Sequence, residues 1–175
     1  EKLNKIISHL NVERGQEILD VGTGTGILIP LLSNKLQDKG HITAIDISPK
    51  MIQKAKEKYP QKEYPNVKFI LSDILKFDFK KKYDLIILYS CFPHIKQKKQ
   101  LIQHLSKGLK DSGKLVIAHS ESREKINKRH RNMNTIISED LLPKSEEIKA
   151  LMIKMNLEVI KISDNENMFL VIAKK

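Results

Sequence analysis

The stretch Ile18-Leu-Asp-Val-Gly-Thr-Gly-Thr-Gly26 decides the fold of this 175-residue chain. An apolar run ends here in three glycines at alternate positions, and a segment of helical periodicity over 27–36 follows at once. This order predicts a buried strand, a tight turn and the start of a helix. Glycine permits positive φ and lets a ligand approach where a Cβ would clash, while a helix N-terminus adds free N–H groups. The segment therefore predicts a turn that holds a nucleotide-like ligand.

The spacing of the glycines distinguishes between kinds of nucleotide site. The dinucleotide pattern Gly-x-Gly-x-x-Gly needs a glycine where this chain has Ile27, and the Gly-Lys-Ser/Thr ending of a phosphate loop is absent. The observed pattern, Asp-x-Gly-x-Gly-x-Gly, resembles the first motif of the class I S-adenosylmethionine-dependent methyltransferases. A glycine turn that binds nothing, or a degenerate dinucleotide site, is the alternative interpretation. The resemblance implies S-adenosylmethionine as cofactor, S-adenosylhomocysteine as product, and cofactor contacts from Asp20, Gly22, Thr23, Gly24 and Gly26.

Two further acids stand at predicted strand ends. Residues 41–48 predict a second strand ending in Asp46, about 20 residues beyond the last glycine, where a carboxylate can accept from both hydroxyls of a ribose. Residues 66–75 predict a third strand ending at Asp73. The resemblance implies that Asp73 lies near the adenine amino group and that Ile74 packs beside the ring. Ile47 and Tyr89 complete the predicted cofactor contacts.

The remaining periodicity predicts one domain over residues 1–175. Strands are expected over 83–89 and 114–118, helices over 97–109 and 143–155, and a final hairpin over 157–163 and 168–173. The fold class is α/β, with a doubly wound, mostly parallel seven-stranded sheet and helices on both faces. The resemblance implies the strand order 3-2-1-4-5-7-6, in which the C-terminal hairpin is antiparallel.

Composition limits the choice of partner and compartment. The net charge is +11, but only four of the 32 basic residues are arginines, and aromatic residues make up 5% of the chain. This composition suggests a general lysine bias rather than a nucleic-acid surface. No apolar run approaches the roughly 20 residues of a membrane helix. The lone cysteine, Cys91, favours a reducing cytoplasm. We expect a monomer or homodimer and no metal.

The segment 119–142 is longer than most connections and is predicted to be a lid on the acceptor side. Three of the four arginines lie between 123 and 131, which suggests that the planar guanidinium matters there. We expect residues 119–131 to be partly mobile and Arg123 to hold an anionic group of the acceptor. His119, at the end of the fifth strand, is the first candidate for a general base, and His94 and His130 follow. A solvated charged helix is the alternative.

The loop after the fourth strand bears on the acceptor. It reads Ser-Cys-Phe-Pro-His over 90–94, whereas methyltransferases acting on base amines or glutamine amides usually carry Asn/Asp-Pro-Pro-Tyr/Phe. The end of this loop, where His94 stands between Pro93 and Ile95, resembles the corresponding loop of small-molecule methyltransferases. The predicted function is therefore methyl transfer to a small-molecule acceptor. Alternatives are an RNA or protein methyltransferase, a non-catalytic S-adenosylmethionine-binding module, and a metal or metalloid site formed by Cys91, His94, His119, Glu121 and His130.

Overall fold

A single seven-stranded sheet organises the chain, for which the computed structural model describes residues 1–133 and 136–175. The strand order is β3-β2-β1-β4-β5-β7-β6, which confirms the predicted order. β1 to β5 run parallel, and β7 is antiparallel to both β5 and β6. The strands are β1 Glu17–Val21, β2 His41–Asp46, β3 Val67–Leu71, β4 Tyr83–Tyr89, β5 Leu109–His119, β6 Glu158–Asp164 and β7 Phe169–Lys174.

Helices cover both faces of the sheet, as predicted. Because side chains alternate along a strand, Leu19 and Val21 of β1 join one apolar cluster while Ile18 joins the other. The helices are α1 Lys2–Leu10, α2 Ile29–Leu36, α3 Pro49–Lys58, α4 Lys98–Gly108, α5 Arg123–Arg131 and α6 Ser145–Lys154. Short 3-10 turns cover Ile74–Lys76, Phe92–His94 and Ile136–Glu139.

Several boundaries differ from the predicted ones. α2 begins at Ile29 rather than at 27, because the glycine turn continues to Leu28. β5 begins at Leu109 rather than at 114, and within the added residues Ser112 has φ +67° and the pairing with β4 is interrupted. α1 had no counterpart in the sequence prediction. The first turn of α3 is capped by Ser48, whose side chain accepts a hydrogen bond from the Met51 N–H at 3.4 Å.

The excursion after β5 is attached to the rest of the domain along α5. Ile126 and Asn127 of this helix are buried. The amide of Asn127 donates from Nδ2 to the Leu142 carbonyl at 3.0 Å and accepts from the Leu142 N–H at 2.8 Å. These two bonds tie the beginning of the excursion to its end. Residues 134 and 135 of the predicted lid lie outside the described residues, and the mobility expected for 119–131 stays a prediction.

Candidate functional site

The glycine turn after β1 presents one open position. Gly22, Gly24 and Gly26 all have positive φ, at +67°, +56° and +80°. A Cβ on Gly22 would lie 2.6 Å from Cβ of Cys91, and one on Gly26 would lie 2.8 Å from the Tyr59 ring. A Cβ on Gly24 would meet no atom within 4 Å. Gly22 and Gly26 therefore let the turn pack against its neighbours, whereas Gly24 leaves room for a ligand.

Asp46, at the end of β2, joins this turn to the start of α3. Its Oδ2 accepts from the Gly24 N–H at 2.8 Å and its Oδ1 accepts from the Ser48 N–H at 2.9 Å. Each carboxylate oxygen has a second lone pair, so the group can still accept from a ligand hydroxyl. The structure thus brings the predicted ribose-binding acid beside the open glycine.

Asp20 and Thr23 lie beneath the turn rather than in its mouth. Both residues are buried, and the Thr23 hydroxyl donates to Oδ2 of Asp20 at 2.6 Å. Burial, with a smaller contribution from the charge of Asp46, raises the pKa of Asp20 to about 7. The Thr23 N–H donates to the Ile45 carbonyl at 2.9 Å, which fixes the turn against β2. These contacts brace the turn, and direct cofactor contact by either residue stays a prediction.

A cleft of about 500 Å³ opens at the carboxyl ends of β1, β2 and β4. One wall carries the predicted residues Asp46, Ile47, Asp73 and Ile74 together. Ile47 is 70% exposed there, which leaves its apolar surface free for a ligand ring. A second wall is formed by the loop after β4, where the sequence analysis predicts His94 as a site residue but not residues 95–97, because periodicity does not describe a loop. Its residues are Cys91, His94, Ile95, Lys96 and Gln97.

A second, smaller cavity of about 110 Å³ lies beside the cleft. His94 lines both spaces and so stands at their junction. The three histidines proposed from the sequence, which are distant along the chain, meet at this cavity. Its lining consists of Ser90, Pro93, His94, His119, Ser120, Glu121, Ile126, Arg129 and His130. Tyr89 donates its hydroxyl to Oγ of Ser120 at 2.9 Å, and its contact with the cofactor stays a prediction.

The three histidines have different surroundings. Nδ1 of His94 lies 3.0 Å from Oδ2 of Asp140, and the His94 side chain is 41% exposed. Nδ1 of His130 bonds to the backbone carbonyl of the same Asp140, and the rings of His94 and His130 lie 5.1 Å apart between centroids. His119 is only 4% exposed, and among the described residues its Nε2 has no hydrogen-bond partner.

Burial sets the protonation state of His119. Desolvation, followed by the charges of His94, His130 and Arg129, lowers its pKa to about 3. The imidazole is therefore neutral at pH 7 and binds a proton weakly. A general base works best when its pKa lies near the operating pH. The lowered pKa therefore argues against His119 as the first candidate for a general base, and its catalytic role stays a prediction.

Arg123 lies apart from the histidines. Its Nε approaches Oδ2 of Asp164 at 3.9 Å, and its side chain lines an outer groove of α5 with Glu124 and Lys128. The arginine at the cavity is Arg129, which is paired with Glu121 at 2.6 Å. Helical spacing could have identified it, because residues 126, 129 and 130 share one face of α5. An acceptor contact by Arg123 stays a prediction without support from this geometry.

Two kinds of feature are absent from the part of the chain that the structure describes. Within 1–133 and 136–175, no group of three His, Cys, Asp or Glu side chains is arranged to hold a metal ion. In the same ranges, no helix is both long enough and apolar enough to cross a membrane.

Comparison with known proteins agrees with the geometry of the cleft. The family model described as "Methyltransferase domain" matches residues 12–164. The chain belongs to the S-adenosylmethionine-dependent methyltransferase family. The solved structure of a SAM-dependent methyltransferase from Aquifex aeolicus superposes with a TM-score of 0.79 at 21% identity, over 98% of this chain and 88% of that one. S-adenosylmethionine is accordingly the cofactor of this methyltransferase chain.

Curated relatives resemble part of this methyltransferase. Malonyl-(acyl-carrier protein) O-methyltransferase 2 of Ilyobacter polytropus is 41% identical over 101 residues, which are 58% of this chain and 38% of the relative. The corresponding enzyme of a Paenibacillus species is 32% identical over 103 residues, covering 57% and 37%. The match therefore spans less than half the length of these relatives.

Proposed function

We propose that this chain transfers a methyl group from S-adenosylmethionine to a small-molecule acceptor. The proposal depends on the open face of Gly24, whose N–H bonds to Asp46, and on the place of that carboxylate in the lining of a cleft of about 500 Å³. A Cβ at position 24 would occupy the space that the ligand needs, so the turn fits a bound nucleoside.

The residues that would hold the cofactor follow from the cleft. The Asp46 carboxylate is proposed to accept from the ribose hydroxyls, with Asp73 near the adenine amino group. Ile47 and Ile74 would lie against the ring, since both line the cleft and present apolar surface. When bound, S-adenosylmethionine supplies an activated methyl group and its own leaving group. The protein therefore acts mainly by positioning the reactants and excluding water.

The size and lining of the second cavity support a small acceptor. Its volume of about 110 Å³ holds only a few non-hydrogen atoms, since one water occupies about 30 Å³ in the liquid. The cavity adjoins the cleft at His94, so a group bound there would lie next to the cofactor. The malonyl-(acyl-carrier protein) relatives are named for O-methyl transfer, which makes an oxygen acceptor one candidate here.

We further propose a cytoplasmic protein that acts as a monomer or homodimer. The support for the compartment is the lone Cys91, whose thiol donates to the Val21 carbonyl at 3.0 Å. Desolvation by burial raises the pKa of this thiol. A protonated structural thiol suits a reducing compartment.

Two measurements test this function. Calorimetry should show micromolar-range binding of S-adenosylmethionine or S-adenosylhomocysteine and no binding of NAD. Methyl-labelled S-adenosylmethionine should then pass its label to the small-molecule fraction of a cell extract. Label in the RNA or protein fraction would favour those acceptors instead. Binding without transfer to any fraction would favour a non-catalytic module.

A further inference from the structure

Asp140 lies at the centre of a hydrogen-bond network on the acceptor side. Its Oδ2 bonds to Nδ1 of His94 at 3.0 Å, and its backbone carbonyl bonds to Nδ1 of His130. A carboxylate and a carbonyl can only accept hydrogen bonds. Both imidazoles therefore carry a proton on Nδ1, and in the neutral form of each ring the lone pair lies on Nε2.

The positions of the two imidazoles separate their roles. His94 lines both the cofactor cleft and the small cavity, and 41% of its side chain is exposed. His130 is buried and lines the small cavity without reaching the cleft. Of these two, His94 is the one whose free nitrogen can meet an acceptor that also faces the cofactor.

We propose that His94, oriented by Asp140, takes the proton of an acceptor that carries a proton on its attacking atom at neutral pH, such as a hydroxyl, thiol or amine. This inference rests on the proposed methyl transfer. The acceptor's lone pair forms the bond to the methyl carbon, and the carbon–sulfur bond breaks with its electron pair going to sulfur. The acceptor's proton moves to Nε2 of His94, and Asp140 stabilises the imidazolium until water removes the proton.

The cavity is less suited to a carboxylate acceptor. A carboxylate carries no proton at neutral pH, so methyl transfer to it would not need a base such as the His94–Asp140 pair. Among the described residues that line the cavity, Arg129 is the one permanent cation, and it is already paired with Glu121 at 2.6 Å. An acceptor carboxylate would thus compete with Glu121 for the guanidinium of Arg129.

The pair is held in place from both sides. The two bonds between the Asn127 amide and the backbone of Leu142 fix the chain two residues beyond Asp140. On the other side, Nζ of Lys98 donates to the carbonyls of Pro93 and Ile95, each at 3.2 Å, and so fixes the turn that carries His94. Asn127, Lys98 and Asp140 are positioning residues, since they act through His94.

Variants of the pair test the role of His94. The assay uses methyl-labelled S-adenosylmethionine and the small-molecule fraction of a cell extract as acceptor. His94→Asn should lower the transfer rate about 10²-fold and Asp140→Asn at least about tenfold, while S-adenosylmethionine affinity stays within about twofold. The control is Asp84→Asn, a partly buried carboxylate paired with Lys110 at the start of β4, which should transfer at the normal rate.

A pH profile separates a positioning role from a merely structural one. Removing the negative charge of Asp140 makes protonation of His94 less favourable, so the acidic limb of the rate should move to lower pH in Asp140→Asn. The other charged or titratable groups that line the two spaces with His94, or fix its turn, are unchanged in this variant: Asp46, Asp73, Cys91, Lys96, Lys98, His119, Glu121, Arg129 and His130. Wild-type transfer rates in both His94→Asn and Asp140→Asn would contradict the role of His94 as a base. The proposed methyl transfer would not be affected by that result. If Asp140→Asn proves unstable, with a lowered melting temperature, the transfer rate of His94→Asn tests the role of His94 by itself.

The chemical class of the acceptor is tested on the labelled product. Mild alkali hydrolyses a methyl ester and releases labelled methanol, but it leaves a methyl ether, thioether or amine intact. We expect the label to stay on the product. Release as methanol would show a carboxylate acceptor and overturn the inference. Absence of any transfer, with normal cofactor binding, would instead overturn the proposed function itself, and the base with it.

Discussion

The cleft proposed for the cofactor and the cavity proposed for the acceptor are built at the same edge of the sheet by different means. In the cleft, the Asp46 carboxylate holds backbone N–H groups of Gly24 and Ser48, close to the ends of β1 and β2. In the cavity, side chains from the loop after β4, the end of β5 and α5 meet one another. The side chains proposed to hold the cofactor, Asp46, Ile47, Asp73 and Ile74, line the cleft and not the cavity. The acceptor can therefore change by substitution in the cavity without rebuilding the cleft.

The largest expected effect is at Gly24, where a side chain would enter the space for the cofactor. Gly24→Val should weaken S-adenosylmethionine binding beyond calorimetric detection. Its cost in folding should stay near the roughly 1–2 kcal/mol of a left-handed residue, because no atom lies within 4 Å of the added Cβ. Normal binding by this variant would show that the turn does not face the ligand.

Gly26→Ala is the matched control for that substitution. Its Cβ would lie 2.8 Å from the buried ring of Tyr59, at φ +80°. We expect a larger loss of melting temperature than in Gly24→Val, since a ring held in the core cannot move aside at little cost. Equal melting temperatures in the two variants would mean that the glycines do not differ in the way the structure indicates.

The next effect is at Asp46. Asp46→Ala should weaken cofactor binding by about 1.5–3 kcal/mol, because it removes hydrogen bonds to a charged acceptor. The control Asp38→Ala removes an exposed carboxylate, paired with Arg14, beyond the end of α2. Calorimetry should find the cofactor affinity unchanged in the control. Equal affinity in both variants would remove Asp46 from the site.

Burial of His119 predicts an acid-sensitive fold. The unfolded chain takes up a proton on this imidazole near its ordinary pKa of 6.5, whereas the folded chain does so only near 3. The unfolded state binds more protons between these values, so the free energy of unfolding falls as pH falls, by at most about 1.4 kcal/mol per pH unit. His119→Phe should remove this dependence in denaturant titrations.

Asp20 contributes to the pH dependence of the free energy of unfolding with the opposite sign. The variants are therefore compared with wild type at each pH. The pKa of Asp20 is raised from 3.8 to about 7 in the folded chain, which makes its contribution decline as pH rises through that window. Asp20→Asn should remove this decline. Parallel stability curves for wild type and His119→Phe between pH 4 and 6 would mean that His119 is not buried as described.

The same contrast explains what the sequence could predict. The residues of the cleft could be predicted because its acids follow directly on apolar strands. Parallel strands place their carboxyl ends at one edge of the sheet. The pairing of His94 with Asp140 was not, since 46 residues separate them and no periodicity links a loop to the end of an excursion. The same holds for His119, whose place at a strand end was predicted but whose burial against Phe169 depends on tertiary packing.

The smallest expected effect is at Arg123. If this residue held an anionic group of the acceptor, Arg123→Lys would raise the acceptor KM, because lysine lacks the bidentate guanidinium. The structure instead places its Nε 3.9 Å from Asp164 in a partly exposed pair, which contributes no more than about 1 kcal/mol. We therefore expect KM within about twofold of wild type and a small loss of melting temperature. Arg129→Lys is the comparison, since Arg129 lines the cavity and its pairing with Glu121 would change. A raised KM in Arg123→Lys alone would place the acceptor over the outer face of α5 and away from the histidines.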